Sequence, residues 1–154
     1  MIQVKKMAFS TDFSENADQA FELAFDLAKK YGARLFLIHV VPPLVFPSPI
    51  MEEFISEQAN YPFIEQVIQR SVEQMESSYV QRMGDYSNFQ VRVLSGHPAS
   101  EILNFIDQEQ VDLVVMGTHG FTGFAHFFLG STAEKVVRRA NCSVLTVYQP
   151  KTTE

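Results

Sequence analysis

The chain has 154 residues, of which 46% are hydrophobic and 19% charged, as in a folded globular domain. It carries 12 basic and 18 acidic residues, and no run of lysine or arginine occurs, which argues against nucleic acid and anionic membranes as partners. Cys142 is the sole cysteine, so no internal disulfide can form. The first residues lack the apolar core of a signal peptide, and no apolar stretch is long enough to span a bilayer. We therefore expect one cytoplasmic domain over residues 1–154.

Five apolar runs predict five strands, and segments with helical periodicity lie between them. The third run alternates apolar and polar residues, which is typical of a half-exposed edge strand, whereas the fourth is almost entirely apolar, as in a strand covered on both faces. Strands that alternate with helices predict a parallel α/β sheet with right-handed crossovers. The predicted strands are 4–9, 35–41, 89–94, 111–116 and 144–148; the predicted helices are about 14–31, about 63–83, one that follows 96–98 and one that starts at 131.

The predicted helix ends carry their own sequence signals. Ser14 is placed as the N-cap of the first helix, and Gly32 as its C-cap. Pro62 suits the first turn of the second helix. Ser131 and Glu134 have the spacing of a capping box at the start of the last helix.

The segment 42–62 does not fit the alternation of strands and helices. It contains five of the seven prolines together with several apolar residues. Loops of this length in compact domains are usually functional or mobile. Two interpretations stay open at this point: a loop that packs its apolar residues onto the domain, and a lid or partner contact.

The segment 117–132 follows the most buried predicted strand and contains four of the seven glycines. In open parallel sheets, ligands bind beyond the carboxyl ends of the strands. Glycines let the main chain curl into a nest of amides, and the helix that starts at Ser131 offers further free amides to an anion. The pattern therefore predicts a polyphosphate site. The alternative is a set of ordinary turns that precede a capping box.

The glycines of this segment also follow a recognisable spacing. Gly117, two residues, Gly120, nine residues, then Gly130 and Ser131 give a pattern that resembles the ATP-binding branch of the universal stress proteins. The resemblance extends over nearly the whole chain. It includes 11–14 after the first strand, 39–40 in the second, 96–99 after the third, and 133–138 in the last helix.

The resemblance implies a three-layer, flavodoxin-like, doubly wound α/β fold with five parallel strands in the order 3-2-1-4-5 and helices on both faces. It implies a homodimer, often joined through the last strands. It also implies an adenine nucleotide as ligand, with ATP placed first, ADP or AMP as alternatives, and Mg²⁺ as an optional companion. The corresponding role is regulatory or stress-related.

Carried over position by position, the resemblance assigns the parts of the ligand. Ser10, Thr11 and Asp12 would hold the ribose or adenosine, and Val40 would present main-chain groups to the adenine edge, with Val41 as the neighbouring candidate. Met116 and Gly117 would line the nucleoside. The phosphates would be held at the glycine segment, by Gly120, Gly130, Ser131 and Thr132, with Thr118 and His119 also in the binding loop.

Some positions depart from the family pattern or allow another interpretation. Phe121 stands where the family commonly has arginine, and Ser10 where it often has proline. Asp12 could instead be an N-cap, with Glu15 three residues on. His39 lies in an apolar run and is predicted to be a satisfied core residue, and Cys142 is predicted to pack.

The sequence also bears on functions other than nucleotide binding. No P-loop, nucleophile–base pair or metal-ligand spacing occurs, and 95–96 lack the aspartate of a response regulator. A slow ATPase or phosphotransferase nevertheless stays open, since fold does not decide function. The third alternative is an interaction module that does not bind nucleotide. Its contact surface would use the proline-rich segment and Phe121, Phe124, Phe127 and Phe128, for which dimer or core packing is the plainer interpretation.

Overall fold

The computed structural model describes residues 3–45, 49, 57–119 and 129–148, with 57–61 described by their backbone alone. The strands are β1 (Lys6–Thr11), β2 (Arg34–Val41), β3 (Phe89–Ser95), β4 (Leu113–Gly117) and β5 (Ser143–Val147). The helices are α1 (Glu15–Tyr31), α2 (Glu57–Ser78), α3 (Pro98–Glu109) and α4 (Ser131–Arg139), and a 3₁₀ turn covers Val80–Met83. Within these ranges no helix is both long enough and apolar enough to cross a membrane.

The strands form one parallel sheet in the order β3-β2-β1-β4-β5. This confirms the predicted order, and it places β1 between β2 and β4. In chain order, β2 and β3 are added on one side of β1, and β4 and β5 on the other side. A crevice for a ligand is expected where this order reverses, beyond the carboxyl ends of β1 and β4. The alternating strand β3 lies at one edge of the sheet, as predicted, and β5 lies at the other.

Two apolar layers cover the sheet, one on each face. On one face, α1 packs through alanines and Phe21, together with Met75 of α2 and Tyr79 directly after it. On the other face, Ile102 and Phe105 of α3 and Val136 of α4 pack against the strands. Burial on both faces explains the uninterrupted apolar runs 7–9 in β1, 35–38 in β2 and 113–116 in β4.

The ends of α1 confirm the predicted caps. The Ser14 side chain accepts a hydrogen bond from the backbone N–H of Ala17 at 3.2 Å. Gly32 has φ 63° in the left-handed region and donates its N–H to the last carbonyls of the helix. The Ser14 cap therefore fixes the first turn of α1 close to the carboxyl end of β1.

Two predicted boundaries were wrong in ways that matter for the site. β1 extends to Thr11 rather than ending at residue 9, because Ser10 and Thr11 continue the ladder opposite Ile38 and His39 of β2. Ser10 and Thr11 therefore belong to the strand and not to the following turn. β4 is displaced in the same direction, since it begins at Leu113 and includes Gly117.

The second helix also differs from its prediction at both ends. α2 begins at Glu57, so Pro62 lies inside the helix rather than in its first turn. Proline removes one helical hydrogen bond, and here that loss falls where Pro62 itself is exposed, whereas the later residues Ser71 and Met75 are buried. At its other end α2 stops at Ser78 and a 3₁₀ turn follows.

Candidate functional site

A cavity of about 440 Å³ opens at the carboxyl ends of β1 and β4, which is within the usual size range of small-molecule sites. It lies at the crevice expected from the strand order. The predicted site residues that the structure describes line it, except Val41, the alternative to Val40; Gly120 lies outside the described residues. The lining consists of Ser10, Thr11, Asp12, Ala17, Val40, Pro42, Pro98, Ile102, Met116, Gly117, Thr118, His119, Gly130, Ser131, Thr132 and Ala133.

The turn after β1 presents Asp12 to this cavity. Thr11 Oγ1 accepts a hydrogen bond from the N–H of Phe13 at 2.9 Å, and Asp12 Oδ1 accepts one from the N–H of Ser14 at 3.0 Å. Ser14, not Asp12, is the N-cap of α1, so the interpretation of Asp12 as a cap is wrong. Asp12 is exposed and shapes its own turn with one carboxylate oxygen, which leaves the carboxylate accessible from the cavity.

The glycine segment begins with amides that are already hydrogen-bonded within the protein. The N–H of Thr118 donates to the Val147 carbonyl at 3.0 Å, and the N–H of Gly130 donates to the Thr118 carbonyl at 2.6 Å. The N–H of His119 donates to Asn16 Oδ1 at 2.9 Å. These amides shape the base of the loop, so in this conformation they are not the free donors that the glycine pattern predicted.

Amides without a hydrogen-bond partner among the described residues are instead found at the start of α4. Its N-cap is Gly130, and no side chain in the described part of the chain caps the helix. The predicted capping box is wrong, because the extended cap position falls one residue early and places Ser131 inside the helix. The amides of Ser131, Thr132 and Ala133 precede the first intrahelical hydrogen bond and have no helical partner. All three residues line the cavity, which makes this helix start the electropositive end of the site.

Asn16 holds the glycine segment in place, and sequence reasoning missed it. Its Nδ2 donates to the Val147 carbonyl at 3.0 Å while its Oδ1 accepts from His119. The residue is 9% exposed and lies so close to Gly117 that a Cβ there would come within 2.9 Å of the Asn16 Cγ. The helical spacing does indicate it: Asn16 lies on the same buried face of α1 as Ala20 and Ala24. A polar side chain on a buried face is expected to have hydrogen-bond partners inside the protein.

The rest of the cavity wall is largely apolar. Among the described lining residues, Asp12 and His119 are the titratable ones, and neither lysine nor arginine is present. His119 Nδ1 lies 2.7 Å from Thr118 Oγ1, and its Nε2 is buried with no hydrogen-bond partner in the part of the chain that the structure describes. The apolar wall comes from Ala17, Val40, Pro42, Pro98, Ile102, Met116 and Ala133.

His39 supports the site from behind, and the prediction that it is a satisfied core residue is confirmed. Its Nδ1 lies 2.9 Å from the Thr11 carbonyl, which can only accept, so Nδ1 carries the proton. Its ring contacts that of Phe13, with centroids 4.5 Å apart. Burial lowers the pKa of His39 below its ordinary value, so the imidazole is neutral near pH 7.

Comparison with known proteins places the chain in a family. A profile of the universal stress protein family matches residues 3–148. Universal stress protein MJ0531 of Methanocaldococcus jannaschii is 34% identical over 152 residues, covering 96% of this chain and 84% of that protein. A universal stress protein of Thermus aquaticus is 32% identical over 145 residues, covering 93% of this chain and 98% of that protein.

Solved structures show the same fold. The structure of protein MJ0577 superposes with a TM-score of 0.81 at 25% identity, covering 98% of this chain and all of that one. A universal stress protein in complex with cAMP superposes at 0.62 with 21% identity, covering 96% of this chain and 98% of that one. The Archaeoglobus fulgidus protein in complex with dAMP superposes at 0.58 with 19% identity, covering 96% and 99%. The family profile and these two relatives, each above 30% identity, together establish that the chain belongs to the universal stress protein family.

Proposed function

We propose that this universal stress protein binds an adenine nucleotide, ATP in the first instance, in the cavity beyond β1 and β4, and acts as a nucleotide-dependent regulator. The observation that carries the proposal is the juxtaposition in one cavity of an apolar wall, the Asp12 carboxylate and the amides at the start of α4 that have no helical partner. These three features match a base, a ribose and a phosphate. Family structures solved with cAMP and dAMP support an adenine ligand.

The base lies against the apolar wall, in the proposed complex, next to the end of β2. Val40 offers main-chain groups to the adenine edge, and Met116 and Gly117 line the nucleoside. Asp12 receives ribose hydroxyls, because a carboxylate accepts hydrogen bonds from a diol. Ser10 and Thr11 belong to the strand that carries Asp12 and support it from behind.

The phosphates lie at the start of α4 rather than on the amides of Thr118 and Gly130, which are already bonded. The amides of residues 131–133 and the hydroxyls of Ser131 and Thr132 supply the hydrogen bonds, and the helix dipole supplies positive potential. His119, which also lines the cavity, is a further proposed contact to the phosphates. Gly120 remains part of the proposed phosphate site on the strength of the family pattern alone.

Charge balance in the cavity points to Mg²⁺ as a companion of ATP. The described lining offers one carboxylate and no basic side chain other than His119. Among the described residues no group of three or more His, Cys, Asp or Glu could hold a metal ion. In this proposal Mg²⁺ is therefore bound mainly through the phosphates and arrives with the nucleotide.

Ligand-dependent stability tests the proposal. Protein freed of nucleotide should melt at a higher temperature with ATP, because a ligand that binds only the folded state stabilises it by RT ln(1 + [L]/Kd), about 2.7 kcal/mol at 100 times Kd. ADP, AMP and cAMP rank the contribution of the phosphates, and GTP tests the base. Absence of any shift at millimolar adenine nucleotide contradicts the proposal. Release of ADP on a timescale of minutes would instead favour the slow ATPase alternative.

We also propose that the chain forms a homodimer through β5. This strand is a sheet edge that pairs only with β4 among the described strands, so its outer main-chain groups can receive a partner strand. Tyr148, directly after it, is 58% exposed and adds apolar surface. Sedimentation at micromolar concentration tests this, and a monomer in the presence and absence of ATP contradicts it.

A further inference from the structure

Tyr79 is a buried tyrosine that lies behind the Asp12 turn. It follows the last residue of α2 and is 1% exposed. Its ring packs among aromatic rings, with centroid distances of 5.2 Å to Phe9, 4.8 Å to Phe21 and 6.2 Å to Phe13. A phenylalanine would fill this space equally well, so the hydroxyl needs a separate explanation.

Among the described residues, the hydroxyl has one hydrogen-bond partner, Thr11 Oγ1 at 2.6 Å. Burial raises the pKa of Tyr79 above its ordinary value, so the phenol stays protonated. A hydroxyl in an aromatic cluster costs desolvation free energy that a hydrogen bond offsets only partly. The group is therefore poorly explained by stability alone and better explained by what it does to Thr11.

Thr11 takes part in hydrogen bonds to both peptide units that flank Asp12. Its Oγ1 accepts from the N–H of Phe13 at 2.9 Å, and its carbonyl accepts from His39 Nδ1 at 2.9 Å. With the bond to Tyr79, one residue anchors the turn to β2 on one side and to the end of α2 on the other.

The turn needs such anchoring because its backbone is strained. Phe13 has φ 65°, in the left-handed region that residues with a Cβ rarely adopt. Such conformations persist where the surroundings determine them, and they concentrate at functional sites. The centroid of the Phe13 ring lies 4.5 Å from that of His39 and 6.2 Å from that of Tyr79, so the residues that hold the turn also pack against its ring.

We propose that the Tyr79 hydroxyl is a positioning group for nucleotide binding: through Thr11 it holds the Phe13 turn, and thereby Asp12, in the orientation that receives the ribose. This inference rests on the proposed nucleotide site and adds to it a residue that lies outside the cavity lining. It also connects α2 to the ribose end of the site.

The substitution Tyr79→Phe tests the proposal, with Tyr86→Phe as the matched control. The Tyr86 hydroxyl also bonds inside the protein, to the carbonyls of Ala33 and Ala28, but it lies at the opposite end of the sheet from the cavity. We expect Tyr79→Phe to weaken ATP binding roughly 3- to 10-fold, as for one lost hydrogen bond, and Tyr86→Phe to leave it unchanged. Calorimetric titration at a temperature where all variants are folded measures both.

A double-mutant cycle with Asp12→Ala separates positioning from general loosening of the fold. If Tyr79 acts through Asp12, Tyr79→Phe has no further effect on affinity once the carboxylate is absent. An undiminished effect in the Asp12→Ala background, or wild-type affinity in Tyr79→Phe itself, overturns the inference.

A measurement without ligand keeps this inference distinguishable from the proposed function. Hydrogen exchange of the Phe13 amide should accelerate in Tyr79→Phe and not in Tyr86→Phe, because Thr11 Oγ1 is its acceptor. If wild-type protein binds no adenine nucleotide, the proposed function fails, and this exchange rate still decides whether Tyr79 holds the turn. Unchanged exchange at Phe13 rejects the positioning role.

Discussion

The Asn16 carboxamide lies directly against Gly117, so the first residue of the glycine pattern is fixed by a contact inside the protein. A Cβ at position 117 would come within 2.9 Å of Asn16 Cγ and closer still to its Oδ1. The same carboxamide bonds to Val147 and to the N–H of His119. α1, β5 and the loop after β4 therefore meet at one buried amide.

Gly117→Ala should destabilise the protein by about 1–3 kcal/mol, the usual cost of overpacking a tight contact. Asn16→Ser in the same chain should recover part of that loss, because it removes the carboxamide that the new methyl group meets. Urea denaturation of the two single variants and the double variant gives the coupling. Strict additivity of the two effects would show that the contact is not the cause.

Asn16→Asp keeps the shape of the side chain and removes its donor to Val147. We expect a loss of about 1–3 kcal/mol in the free energy of unfolding, because a carboxylate then faces a carbonyl in a buried position. Asn88→Asp is the matched control, since it adds the same charge at an exposed residue whose amide contacts Gly32 at 3.4 Å. Equal effects of the two substitutions in urea denaturation would contradict the positioning role of Asn16.

Ser131→Glu should separate ligand binding from folding. A carboxylate in the first turn of α4 favours the helix by about 0.3–1 kcal/mol, yet it places negative charge where the phosphates are proposed to bind. The melting temperature without ligand should therefore hold or rise, while the shift produced by ATP should disappear. Ser131→Gln controls for size and Ser87→Glu, at an exposed site, for net charge. If ATP still raises the melting temperature of Ser131→Glu, the proposal that the phosphates bind at the start of α4 is rejected.

His39 should make stability fall as the pH drops below about neutrality. Its folded-state pKa is lowered from 6.5, first by burial. The unfolded chain therefore binds a proton in a range where the folded chain does not, and stability is lost as the pH falls through that range. His39→Asn, which keeps a donor for the Thr11 carbonyl, should reduce the difference between urea midpoints at pH 7.5 and pH 5.5. If the difference between the urea midpoints is the same in the variant as in the wild type, titratable groups other than His39 cause the pH dependence.

Much of the fold followed from the sequence because each strand and helix carries its own local signal. The apolar runs predicted the strands, and Ser14 and Gly32 predicted the two ends of α1, because these signals come from residues that are close in the sequence. Boundaries were less accurate where a partner strand decides them, as at Ser10 and Thr11, which β2 draws into the ladder. The start of α2 was predicted too late because a proline such as Pro62 favours the first turn of a helix. In the structure, packing of later residues stabilises a helix that already begins at Glu57.

The site was predictable in its location but less so in its internal hydrogen bonds. Strand ends and glycine spacing brought the predicted residues to one cavity, since both are properties of local sequence. Asn16 and Tyr79 were missed because their partners, Val147 and Thr11, are distant in the chain. The role of Gly130 changed for the same reason: its amide reaches back to Thr118, which no spacing rule reveals.

The close packing of Asn16 on Gly117 has an evolutionary consequence. A family member that binds no nucleotide would still need glycine at this position as long as the carboxamide stayed, so the two residues should be replaced together or not at all. Paired replacement at positions 16 and 117 among relatives would therefore record the history of a steric constraint, whereas the residues that begin α4 would record the history of the ligand.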